Sequence, residues 1–169
     1  MRLRLLLMLI VGLAFTDVHA QAEEKRLRVD YGGTLPVIFD SLDDIGTGLT
    51  FTNYTQLHIV YTDTTALGAP EGNGWQLTVK PQSQISGTGA NVLPYNVVKL
   101  ILTVDGTPPV PDTFFLTAAE QTLTFKDENV VTEIHNIQIS YEIGTDNSLA
   151  GYTPDRYTVV LEFTLEEHP

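Results

Sequence analysis

The chain is predicted to be all-β, an antiparallel sandwich or barrel of about 7–10 strands, on three observations. After Leu27, apolar and polar residues alternate with period two, and Thr, Val, Ile, Tyr and Phe are enriched. Turn clusters interrupt the pattern at short intervals. The one helix candidate of any length, Thr117–Gln121, is shorter than two turns.

Taken in order, the strands expected are Leu27–Val29, Leu35–Phe39, Leu49–Thr52, Gln56–Thr62 and Trp75–Lys80. Val97–Val104, Phe114–Leu116, Thr122–Lys126, Val130–Tyr141 and Tyr157–Leu165 follow. The punctuation between them is Gly32-Gly33, Asp43 to Gly46, Gly72-Asn73-Gly74, Ser86 to Gly89, Asp105-Gly106, Pro108 to Pro111 and Gly144 to Gly151. The last strand is the clearest: Tyr157, Val159, Leu161, Phe163 and Leu165 share one face. Val97–Val104 is apolar almost throughout, as a central strand should be. In Val130–Tyr141 the apolar phase slips between Ile134 and Ile137, which predicts a bulge near His135-Asn136.

The first twenty residues read as a targeting label. Arg2 and Arg4 precede the apolar run Leu5–Ala14, and Val18-His19-Ala20 places small residues at the −3 and −1 positions of a signal peptidase site. The run is too short to anchor across roughly 30 Å of hydrocarbon. Residues 1–20 are therefore expected to be a cleaved signal peptide, leaving 149 of the 169 residues. Residues 21–28 are expected to form a charged leader, Ala22–Arg28 being its charged part, ahead of a single domain over 29–169. The expected location is extracytoplasmic: periplasm, cell surface or secreted. No transmembrane anchor is expected after signal cleavage, and with no cysteine there is neither a disulfide nor a lipid-attachment thiol.

Net charge is −12, becoming −13 without Arg2, Arg4 and Asp17. Such a surface repels phosphate backbones, so no nucleic-acid partner is expected. A protein or a cell-surface glycan fits better.

Few residues point to chemistry. HExxH and Cys/His clusters are missing, and none of the serines lies in GxSxG, so no catalytic residue is assigned and no enzyme activity is expected. His58 and His135 lack the short spacing of metal ligands and read as ordinary surface or edge residues. Asp40, Asp43 and Asp44 are the densest carboxylates. With the carbonyls of Gly46–Gly48 they could offer hard oxygen ligands to calcium, though a solvated turn explains them as well. No other cofactor is implied. Asp105, Asp112 and Asp146 are loop acids without a visible partner. Trp75 is the only tryptophan; it either opens a core strand or offers a stacking platform to a sugar ring.

Trp75-Gln76-Leu77, preceded by a Gly/Asn turn and followed by Thr78-Val79, resembles the first W-x-L signature of WxL-type bacterial surface domains. Together with the closing strand introduced by Gly151 to Tyr157, it is similar to pilin-like adhesion sandwiches. The resemblance covers Trp75–Val79 and Tyr152–Leu165, and implies an immunoglobulin-like fold with a binding or structural role at the envelope. There is no second tryptophan to supply the C-terminal W-x-L, and no cysteine pair of the pilin kind. The function expected is an exported, non-catalytic envelope or secreted β-sandwich engaged in adhesion, assembly or protein binding. The alternative is a carbohydrate-binding module built on Trp75.

Overall fold

A computed structural model describes residues 22–32, 34–64, 74–89, 91–109, 112–127 and 132–168. The expected signal peptide, Gln21 of the leader, Gly33, Gly72-Asn73 and Val110-Pro111 of three turns, and Val130-Val131 at one strand end lie outside these residues.

Among the described residues, twelve strand segments occur in chain order. They are β1 (Ala22–Tyr31), β2 (Leu35–Ile38), β3 (Leu49–Thr64), β4 (Trp75–Pro81), β5 (Ile85–Gly87), β6 (Val92–Leu93), β7 (Val98–Val104), β8 (Thr113–Phe115), β9 (Gln121–Lys126), β10 (Glu133–Ile143), β11 (Arg156–Val159) and β12 (Leu161–Glu167). A short α-helix, α1 (Leu42–Thr47), joins β2 to β3, and a 3-10 turn spans Tyr95–Val97 before β7. One layer is a five-stranded sheet in the order β1-β3-β10-β7-β8. The second is a bent layer in two halves, β2-β11-β5-β6 and β12-β4-β9. The bend falls between β4 and β5 and between β11 and β12, where Gln82 N–H donates to Val160 C=O at 2.8 Å. Counting β4–β5 and β11–β12 as two bent strands reduces twelve segments to ten. All ladders between named strands are antiparallel. The fold is the all-β, two-layer antiparallel sandwich that the alternation predicts.

Alternation sets which side chains meet. On β10, Ile137, Ile139, Tyr141 and Ile143 are buried, whereas Gln138, Ser140 and Glu142 sit on the wetter face. Leu77, Val79, Tyr157 and Val159 answer from the second layer, and all belong to one hydrophobic core. On the final strand, the face predicted from Tyr157 to Leu165 turns inward as one, with Leu161, Phe163 and Leu165 partly buried against that core.

Five expectations change. The charged stretch Ala22–Arg28 is not a separate leader: it forms most of β1, in register with β3 from Ala22↔Thr64 to Val29↔Leu57. Backbone pairing along an edge tolerates outward charges, which hydropathy alone cannot show. The two strands expected over Leu49–Thr52 and Gln56–Thr62 are one, β3. No bulge interrupts His135-Asn136. The register of β10 is continuous there and shifts opposite β3 between Ile139 and Tyr141, near Asn53 at φ 48°. Ile134 is simply on the outer face, 58 % exposed. Finally, Thr117–Gln121 is not helical, and the Asp43–Gly46 segment, expected as a turn, is.

Candidate functional site

Polar chemistry gathers at the end of the core where β4, β9 and β10 meet the turn after β7. Counting back by twos from Ile137 puts His135 and Glu133 on the inward face of β10. Val104 to Thr107 form the turn after β7, with Asp105 at φ 48° and Gly106 at φ 79°. That positive-φ pair is what an Asp-Gly two-residue turn supplies. The turn is tied to β10 by Asp105 N–H to Asn136 C=O at 2.9 Å and Asn136 N–H to Asp105 Oδ1 at 2.8 Å.

These elements bring five side chains together. His135 Nδ1 lies 2.6 Å from Asp105 Oδ2, and Nε2 lies 2.9 Å from Glu133 Oε2. Trp75 Nε1 donates to the same Glu133 oxygen at 2.8 Å, and the Trp75 and His135 rings lie 5.1 Å apart at 45°. Lys126 Nζ of β9 stands 3.8 Å from Glu133 Oε1. Burial opposes charge on all three titratable groups and is the largest influence on each. The hydrogen bonds and opposite charges outweigh it: His135 is raised above the ordinary imidazole value, while Glu133 and Asp105 are lowered. The carboxylates occupy opposite sides of the imidazole ring, so they do not converge on one point. Among the described residues, no group of three or more His, Asp or Glu is placed to hold a metal ion.

The residues singled out from the sequence divide. Trp75 is 2 % exposed, so its ring faces are closed to a sugar; it opens a core strand and its polar edge is engaged by Glu133. Asp40, Asp43 and Asp44 do not assemble a calcium cage. Asp44 caps α1 instead, accepting from Asp40 N–H at 3.0 Å and Ser41 N–H at 2.9 Å, while Ser41 Oγ accepts from Asp44 N–H at 3.1 Å. This reciprocal capping box satisfies orphan donors of a first turn. Asp146 meets Lys99 at 2.8 Å, and Ser86 lies in β5 rather than in a turn. His58 faces outward and meets Asn136 Oδ1 at 3.1 Å. The sequence reading missed the pairing of His135 with Asp105. Half of it was legible: His135 and Glu133 share the period-two face of Ile137 and Ile139, whereas nothing local points to Asp105.

A second feature is the edge of the larger sheet. β1 pairs with β3 on one side, and it ends the sheet order on the other. Val29 and Tyr31 on it are 47 % and 62 % exposed. Arg26 pairs with Glu24, and Arg28 with Asp30, along its surface.

No known protein family matches the chain, and neither a curated protein nor a solved structure does so.

Proposed function

We propose that this chain is an exported, non-catalytic β-sandwich that serves the bacterial envelope or a secreted layer through adhesion, assembly or another protein contact. The edge strand β1, which among the described residues has β3 as its one ladder partner and meets β12 through Lys25 and Glu167, carries this reading. A ten-residue strand that ends a sheet presents backbone donors and acceptors to an incoming strand, and alternate side chains supply selectivity. Here exposed Val29 and Tyr31 offer apolar contact, while the Glu24–Arg26 and Arg28–Asp30 pairs restrict which strand can approach.

The two stretches that resemble surface-domain motifs also lie side by side. Leu77 of β4 is in register with Leu165 of β12, and Val79 with Phe163. The glycan alternative loses its platform because Trp75 is buried.

The test combines location with contact. N-terminal sequencing of the protein purified from its host should begin at Gln21, and purified protein should sediment with intact host cells. Val29→Glu with Tyr31→Glu, both on exposed positions, should reduce the cell-bound fraction without lowering the melting temperature. A cytoplasmic protein with an uncut N-terminus would overturn export. Undiminished binding of the double variant would remove β1 as the contact.

A further inference from the structure

We propose that Asp105, His135 and Glu133 form a proton-operated clasp, closed while His135 is an imidazolium and opened at its Asp105 side when that proton leaves. The two contacts of the ring carry it. Both ring nitrogens face carboxylate oxygens, at 2.6 Å and 2.9 Å, and an imidazole has two N–H donors only when protonated. Once neutral, the ring turns a lone pair toward one of its two carboxylates.

Asp105 is the partner that is released. Its side chain is 46 % exposed against 19 % for Glu133, so water can take the place of the ring at Asp105 far more readily. The remaining proton stays on Nε2, facing Glu133. The turn keeps its two bonds to Asn136 and loses its side-chain tie to the core.

Other titratable groups lie at this end of the sandwich, and of them Lys126 acts on the clasp directly. Lys126 of β9 faces Glu133, and Tyr61 of β3 is the register partner of Glu133. Lys25 of β1 meets Glu167 of β12 at 3.9 Å, and His168 meets Asp127 at 3.3 Å. Trp75, packed against His135, is the sole tryptophan, so its emission reports the state of the clasp.

The experiment titrates the fluorescence of the purified chain between about pH 5 and pH 9. The emission should show a step with its midpoint above 6.5, the ordinary histidine value. His135→Gln should abolish that step, Asp105→Asn should move it downward, and His58→Gln should leave it in place. A step that survives His135→Gln, or a flat wild-type titration, would overturn the clasp. Should His135→Gln fail to fold, the ring nitrogen shifts of His135 in the unaltered protein decide the matter. A neutral ring protonated at Nε2 supports the clasp, and one protonated at Nδ1, or a midpoint at or below 6.5, refutes it.

Discussion

Trp75 of one layer donates its indole N–H to Glu133 of the other at 2.8 Å, so the carboxylate of a charged residue lies inside the end of an apolar core. The bond accounts for both partners. A buried indole N–H without an acceptor is costly, and a half-buried carboxylate needs donors to remain ionised. Trp75→Phe keeps an aromatic ring but removes the donor and part of the volume. The variant should be about 2–4 kcal/mol less stable, combining a lost charged hydrogen bond with a small cavity. Urea unfolding followed by far-ultraviolet circular dichroism measures it, and a loss below about 0.5 kcal/mol would deny the bond its role.

Stability should peak on the acid side of neutrality. His135 is raised in the folded state, so its contribution is complete below 6.5 and is lost as pH rises through the higher folded value. Glu133 and Asp105 are lowered. Their contributions are present above their ordinary values, 4.5 and 3.8, and vanish as pH falls through the folded ones. Melting temperature should therefore be highest between about pH 4.5 and pH 6.5 and decline on both flanks. His135→Gln should flatten the alkaline flank. A wild-type optimum above pH 8 would contradict this assignment.

The crossing from β1 to β2 should resist substitution at Gly32. Tyr141 Oη donates to Thr55 Oγ1 at 2.8 Å, and that hydroxyl donates to Gly32 C=O at 2.9 Å. Burial pushes the Tyr141 phenol up to about 12, so the donor stays protonated. Gly32 has φ +72°, and a Cβ there would run into the Tyr54 carbonyl. Gly32→Ala must move backbone and should cost more than about 2 kcal/mol. Thr55→Val leaves the Tyr141 hydroxyl without its acceptor and should cost about 1–3 kcal/mol. Chemical denaturation of both variants checks the pair, and a neutral Gly32→Ala would show that the crossing relaxes freely.

Much of this architecture was legible because alternation is a local property. The inward faces of β10 and of β11–β12 follow from Ile137, Ile139, Tyr157 and Val159 alone. What stayed hidden depends on pairing. The charges of Ala22–Arg28 disguise an edge strand whose register with β3 no local pattern encodes. The apparent phase slip at Ile134 has a related cause: an isoleucine on the outer face, 58 % exposed, breaks the alternation without any bulge. His135 and Asp105 are 30 residues apart, so neither signals the other until the turn after β7 folds against β10.

The acidic segment at α1 yields the last prediction. Three aspartates within five residues suggested calcium, yet Asp44 accepts two backbone N–H bonds at the helix start and Ser41 returns a third. With six residues, α1 gains little from its own propagation. It depends on this capping box and on Ile45, which is buried in the core. Asp44→Ala should therefore cost about 1–2 kcal/mol by stranding the N–H groups of Asp40 and the N-cap Ser41, as should Ser41→Ala by stranding that of Asp44 in the first turn. Asp43→Ala removes a carboxylate without removing a cap bond and should be close to neutral. Millimolar calcium should leave the melting temperature of the wild-type chain unchanged. A calcium-dependent rise that disappears in Asp43→Ala would restore the cation site and demote the cap.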